Sequence, residues 1–343
     1  MLDHYLHTAH AADRLLDPQR PPIEPRPPAP AVTAGDIAGY ADALAWFQAE
    51  HGVLLAAVRL AAEAGFDTHA WQLAWALTTF LHRCGHWQDW ASVHRIALAS
   101  AERIDDAVGQ ARARGDLGRA CLRLGDHRAA LGHLRRSLSH FERLGDRASQ
   151  ARSHLDIGRA FRAEGRYDLA LGHASRALAL ADAAGYQTMR AAALNNIGWY
   201  HARLGDHAQA LSYCQRALGV FRELGHRDGE AKTLDSIGYA YHHLGRHDQA
   251  IACYRCGLVI FRALGSQYDR ADLLVHLGDA HRAAGDRQAA GRSWRQALVI
   301  LDALHHPDGD QLRARLDGLR AAVPSVAAAA DPAAAPAARA CSR

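Results

Sequence analysis

The residues best suited to chemistry in this chain are its cysteines, its histidines and one lysine. Cys253 and Cys256 form a C-x-x-C, a spacing used by metal and redox sites. No second pair accompanies it, both residues fall on one predicted helix, and a structural zinc needs four ligands, so the two read as buried small residues. The "HRCGH" stretch (His82, Cys84, His86) is a predicted turn beside two tryptophans and is equally incomplete. His4, His7 and His10 spread over roughly 120° of a helix and do not converge on an ion. Lys232 is followed by threonine, but a phosphate-binding loop needs glycine immediately before the lysine, and here the glycine, Gly229, stands earlier. No H-E-x-x-H, G-x-S-x-G or G-x-G-x-x-G occurs. No catalytic residue, metal or cofactor is expected, and the chain does not read as an enzyme.

Composition narrows the class further. The formal charge is +4 over 343 residues, with 39 arginines against a single lysine. That preference, with abundant Ala, Gly and His, points to a GC-rich genome rather than a nucleic-acid surface, so no direct nucleic-acid partner is expected. Six cysteines show no paired framework, and "MLDHYLHTAH" lacks the basic and apolar regions of a secretory signal. The most apolar stretch, Val53 to Phe66, is interrupted by Arg59 and Glu63, which excludes a membrane span. A reduced, cytoplasmic protein without a membrane partner is the expectation.

The elements that position these residues come from a repeat. "LNNIGWYHARLGDHAQAL" from Leu194 has counterparts starting at Arg114, His154, Leu234 and Leu274. Gly118, Gly158, Gly198, Gly238 and Gly278 recur every forty residues, as do Gly125 to Gly285 and Ala130 to Ala290. A period between 20 and 50 means a solenoid or propeller, and the absence of strand signals makes it a helical solenoid. A mid-helix glycine costs about 1 kcal/mol against alanine. Five in register are therefore expected to mark points where a neighbouring helix packs on bare backbone.

Seven of the eleven prolines lie between Pro18 and Pro30, and none follows until Pro307. The expected organisation is a short helix over 1–17 belonging to an upstream junction and a Pro-rich linker over 18–35. A lead-in helix with one degenerate helical pair follows over 36–105. Five repeats of forty residues span 106–305, a capping helix 306–322 and a disordered Ala/Pro tail 323–343.

Each unit resembles the tetratricopeptide repeat. In the fourth copy Ile237-Gly238, Tyr241, Gly245, His247, Ala250, Tyr254 and Gly257 occupy that family's small and large positions. The resemblance implies an all-α fold, a right-handed α-solenoid of stacked antiparallel helix pairs. The usual unit is 34 residues and ends in proline; here the second helix runs on to Leu-Gly at 144–145, 224–225 and 264–265, where glycine closes the helix. His127, His207 and His247 share a position that is usually aromatic, so substitution explains them better than pH sensing. A narrower resemblance rests on "LDHYLHTAHAADRLLDPQRPPI", "ALAWFQAEHGVLLAAVRLAAEAGFDTHAWQLAWAL" and "GHWQDW". These are similar to the C-terminal half of SARP-type regulators with an NB-ARC (STAND) ATPase, where the repeats form a sensor or autoinhibitory arm. It implies a fragment, truncated gene or stand-alone derivative; no DNA-binding or ATPase function carries over.

Function is expected on the concave stripe. At 100° per residue, Ala231, Leu234, Gly238 and Tyr241 form the packing arc, and Lys232, Asp235, Tyr239, His242 and His243 a neighbouring one. The third copy places Asn195, Trp199 and Arg203 there; earlier copies place Arg112, Arg119, Arg123, Arg152, Arg159 and Arg162. Aromatics and arginine suit binding hot spots, and arginine suits carboxylate or phosphate. The expected partner is a protein or peptide, acidic in character, with an upstream ATPase or DNA-binding protein as a further one. A non-catalytic sensing module is the leading reading, a stand-alone adaptor binding a peptide or partner helix the alternative, and nucleic-acid binding by the arginines a third.

Overall fold

The structure, a computed structural model, describes residues 1–321; the tail expected at 323–343 lies outside the described residues. Among the described residues there are fifteen helices and no strand. Left-handed residues recur every twenty positions from 65 to 305; glycine holds eleven of these thirteen, and Asp105 and His305 the other two. Beyond each, the backbone N–H returns to a carbonyl five residues back, as Asp206 to His201 at 2.9 Å, and stops the helix. Asp106, Asp126, Asp146, Asp206 and Asp286 then accept from the third backbone N–H of the next helix, caps worth about 1 kcal/mol each.

The regular array runs in pairs: α5 Ala107–Arg123 with α6 His127–Leu144, α7 Arg147–Ala163 with α8 Tyr167–Ala183, and α9 Gln187–Arg203 with α10 His207–Glu223. It continues with α11 Arg227–His243 and α12 His247–Ala263, α13 Gln267–Ala283 and α14 Arg287–Ala303, and ends at α15 Asp308–Ala321. It is preceded by α1 Leu2–Leu16, α2 Tyr40–Glu63, α3 Asp67–Cys84 and α4 Trp87–Arg103. First helices of successive pairs touch one another (α5–α7, α7–α9, α9–α11, α11–α13), whereas second helices touch only their chain neighbours. The first helices therefore form the inner, concave wall, and the fold is a right-handed all-α solenoid.

Within each pair the glycine column is a contact column. A Cβ on Gly118 would sit 2.7 Å from Leu134, and one on Gly238 2.5 Å from Tyr254. On Gly198 it would meet the Ala210 carbonyl at 2.9 Å as well as the Cys214 sulfur, and on Gly278 it would strike Trp294. The second pair carries Ala174 at that position, and the Tyr200 hydroxyl, 3.3 Å from a Gly158 Cβ, fills the gap from the next repeat.

The N-terminal segments differ from their sequence-based reading. Helix α1 packs on α2 and α3, burying Leu6, Ala9, Ala12 and Leu16 in the same core as Phe47, Trp75 and Phe80. The Pro-rich stretch does not span solvent. Ile23 is buried, and Arg20 stacks on Trp75 at 3.7 Å while pairing with buried Asp13 at 3.1 Å. Gln72 grips its backbone at Glu24 and Arg26. Extended proline-rich backbone carries unpaired carbonyls, and here side chains of the repeats satisfy them.

The superhelix closes on itself. Helix α3 touches α13; Trp87 packs edge-on to Tyr268 at 5.5 Å and to His306 at 5.3 Å. The Tyr40 hydroxyl donates to the Leu264 carbonyl at 2.6 Å, and Arg123 pairs with Asp269 at 3.3 Å.

Two glycine classes follow from these contacts and should respond oppositely to alanine. Gly198→Ala overpacks a contact against fixed backbone and should lose roughly 1–3 kcal/mol. Gly172, mid-helix with nothing within 4 Å of a Cβ, should gain up to about 1 kcal/mol as Gly172→Ala. Denaturant unfolding of both variants checks this; equal effects would remove the packing explanation.

Candidate functional site

Closure leaves a central cavity of about 1070 Å³ bounded by the inner helices, the α3–α4 turn and the α14–α15 turn. Eight of the twelve residues expected in the groove line it: Arg119, Arg123, Arg159, Arg162, Asn195, Trp199, Lys232 and Asp235. The other four, Arg203, Tyr239, His242 and His243, line a neighbouring recess of about 410 Å³ toward α13 and α15. Asp272 and Tyr268 border both. The single groove read from helical periodicity is thus two connected hollows, because the curl carries later copies out of line with earlier ones.

The wall is graded in charge. Reading the first helices in order, one position carries Arg112, Arg152, Ala192, Lys232 and Asp272, and another Arg119, Arg159, Trp199, Tyr239 and Asp279. A third position was missed from sequence: Asp116, Asp156, Asn196, Ser236 and His276. Asp116 pairs with Arg119, and Asp156 with Arg159 at 2.6 Å, so the early copies are less cationic than a count of arginines suggests. The signal for them was the i,i+3 spacing to each arginine. Trp199 and Tyr239 also have internal partners. They pack at 4.8 Å on each other, with Arg162 over Trp199 and Arg203 over Tyr239. A half-buried aromatic on this stripe therefore does not by itself require an outside ligand.

Two charges on this wall, Arg152 on α7 and Asp272 on α13, make no hydrogen bond, ion pair or ring contact among the described residues; Arg162 on α7 has only its contact with the Trp199 ring. Burial, with Arg119 nearby, pulls the Arg152 guanidinium down to about 10. Asp272 is exposed into the cavity, with its carboxylate within 4.8 Å of the His276 ring. Desolvation by the surrounding wall holds the carboxyl above the ordinary range, offset in part by His276. The other acids are matched. Asp235 accepts from His276 at 2.7 Å, Asp228 pairs with Lys232 at 2.7 Å, and Asp279 with Arg315 at 3.2 Å. Burial opposes charge on His276, but Asp235 and Asp272 outweigh it and lift the imidazole to about 9. The turn motif separates: His82 contacts Arg123 at 3.0 Å and is half-buried on the cavity side, whereas His86 faces His51 on α2.

The tetratricopeptide-repeat family model matches residues 122–183 and 189–263. The match spans less than half of the chain, and over that span the helix pairs are tetratricopeptide-like. A search of curated proteins returned no match. Among solved structures, the chain is similar to a Rap protein complexed with competence and sporulation factor, with 15% identity, 82% of this chain and 80% of that one covered, and a TM-score of 0.57. It is similar to the Rap conjugation gene regulator of plasmid pLS20 in complex with the Phr* peptide (17% identity, 74% and 68% covered, TM-score 0.61). Aspartyl phosphate phosphatase F from Bacillus subtilis shares 12% identity over 82% of this chain and 75% of that one, TM-score 0.51. Identities this low carry the fold and none of the activities in those names. Tetratricopeptide repeats are generally non-catalytic interaction scaffolds, and no helix of the described residues is long and apolar enough to cross a membrane.

The raised imidazole makes stability pH-dependent. A His276 pKa of about 9, above the unfolded 6.5, means its stabilisation is fully present below pH 6.5 and is lost as pH rises through 9. Between those limits the wild type should lose on the order of 2 kcal/mol more than His276→Gln, read from urea midpoints at pH 6 and 9.5. Parallel pH curves would show that the pair is not formed.

Proposed function

We propose that the chain is a peptide-sensing regulatory module whose central cavity holds an extended peptide along the inner wall. The acidic part of the peptide lies at Arg152 and its basic part toward Asp272. The observation that carries this is the pair of unmatched opposite charges on one wall. Arg152 is half-buried and Asp272 exposed into the cavity, so each is open to a ligand group of opposite charge. Charge-assisted hydrogen bonds of this kind are among the stronger ones. Arg152 also occupies the position held one copy earlier by Arg112, whose guanidinium donates to the Pro22 carbonyl of the chain's own extended segment at 3.2 Å. Neighbouring helix axes lie 8–10 Å apart, so the three steps from α7 to α13 span roughly 27 Å along the wall. An extended chain covers that in on the order of eight residues. Asn195, Asn196 and Trp199 stand between and line the cavity.

A regulatory role, rather than a stand-alone adaptor, is supported by the resemblance of residues 2–23, 43–77 and 85–90 to SARP-type regulators. One fold neighbour is also named as a regulator in complex with a peptide. On this reading, occupancy shifts contacts with a separate switch domain only if the peptide binds the two states unequally.

Fluorescent octapeptide pools test the assignment: one with acidic residues at one end and basic at the other, one neutral and matched in length. The bipolar pool should bind more tightly, and Arg152→Gln and Asp272→Asn should each weaken it by about tenfold or more without altering the neutral pool. Identical binding of both pools by all three proteins would sink the proposed polarity.

A further inference from the structure

Beside that wall, one cluster of ligating side chains takes no part in the charge pairing of the inner helices. His51 lies in the middle of α2, His86 in the turn that opens α4, and Asp89 in the first turn of α4. Their donor atoms all fall within 4.8 Å of one another, and each residue is half-buried. The His51 Nε2 is sealed from solvent and lies 3.1 Å from Asp89 Oδ2, yet it is not aligned for a hydrogen bond with that oxygen. The His86 side chain does not cap its helix and makes no hydrogen bond among the described residues. The two imidazoles stand 4.3 Å apart between ring centres. Both rest on Phe80, His51 edge-on at 5.3 Å and His86 at 5.5 Å, and Phe80 is itself stacked on buried Phe47. Three ligating groups from two helices and a turn thus converge on an apolar floor without being satisfied by each other.

We infer that His51, His86 and Asp89 form a binding site for one divalent transition-metal ion of the zinc type. Zn–N bonds of about 2.0–2.1 Å and Zn–O bonds of about 2.0–2.2 Å place tetrahedral donors roughly 3.3 Å apart, which the His51–Asp89 separation matches. Two imidazoles and one carboxylate suit zinc, cobalt or nickel rather than calcium or magnesium, which prefer all-oxygen shells. Three protein ligands leave a coordination position open toward the cavity rim, which His86 and Asp89 both line. The ion ties α2 to the turn that starts α4, so it stiffens the N-terminal cap next to the seam where Trp87 meets Tyr268 and His306. The second such cluster, Asp235, Asp272 and His276, is different. Its histidine is already committed to Asp235 by a 2.7 Å charged contact and holds a proton where a metal would sit.

The test uses the full chain without a histidine tag, stripped with chelator and titrated with Zn²⁺ by calorimetry, and with Co²⁺ followed by visible ligand-field absorption. One equivalent should bind, and Zn²⁺ should raise the melting temperature. His86→Ala and Asp89→Asn should each weaken binding by at least about tenfold and abolish the Co²⁺ spectrum, whereas His140→Ala on α6 should change neither. Asp89 is half-exposed, so Asp89→Asn keeps the fold, checked by circular dichroism. No stoichiometric binding, or binding unchanged in both ligand variants, overturns the site. The peptide assay above is independent of this result.

Discussion

Everything in this molecule depends on how closely the two helices of a pair approach. The bare backbone at Gly118, Gly198, Gly238 and Gly278 lets Leu134, Cys214, Tyr254 and Trp294 sit against it, and small residues such as Ala130, Ala210 and Ala250 bring the second helix within reach. Five glycines in helix interiors forfeit about 5 kcal/mol of propensity, comparable with the net stability of a domain. The return is burial of a large side chain at three of the five interfaces, Leu134, Tyr254 and Trp294, the last fully buried. Close approach within pairs, with the outer helices splayed, gives each step the same sense of curl. After five steps the curl has brought α13 back to α3.

Closure then determines what the charges mean. On an open solenoid the early arginines and late aspartates would point into water, where each pair is worth little. Curled into one turn, they face each other across a cavity. Arg123 reaches Asp269, and Lys232 lies between Asp228 and Asp269 at 2.7 and 3.8 Å. The Lys232 and Arg123 charges, set against burial, hold the Asp269 carboxyl well below the ordinary range. Most of the wall is neutralised in this way; Arg152 and Asp272 are left without an ion pair, and Arg162 with only the Trp199 ring.

The repeat and its helical class were legible because they are written periodically. Glycines at a fixed interval mark both the turns and the contacts, and a 100° step sorts concave from packed positions such as Asn195 and Trp199 against Leu194 and Gly198. What periodicity does not encode is non-local. Asp116 and Asp156 neutralise arginines three residues away, a local pattern open to reading. The pairing of Arg20 with Asp116, or the convergence of His51 with Asp89, depends on tertiary packing that no local spacing announces. Closure likewise depends on a small rotation added at every step, set by side-chain volumes at the interfaces rather than by any motif. The proline run was legible as extended backbone, but not as packed backbone, since proline fixes φ and says nothing of what lies beside it.

That packed segment shows how the inner wall recognises an extended chain. Gln19 is held by Tyr186, whose hydroxyl donates to its carbonyl at 2.9 Å, and by Thr188, while Arg112 takes the carbonyl of Pro22. Arg20 inserts deeper, over Trp75 and toward Asp13 and Asp116, with the Trp75 carbonyl accepting at 2.9 Å. The wall thus uses guanidinium and hydroxyl donors for main-chain carbonyls and an aromatic-acid pocket for a cationic side chain. Both elements recur further along, at Arg152 for a carbonyl or carboxylate and near Trp199, Tyr239 and Asp272 for a cation. The chain's own N-terminal segment reaches α9 at Tyr186 and Thr188, with Asp17 near enough to act on the Arg152 charge. It therefore lies beside the start of the proposed path, and the wall from α11 onward keeps the same chemistry. A peptide bound there would continue the line that residues 17–23 begin, using contacts the solenoid already makes once to itself.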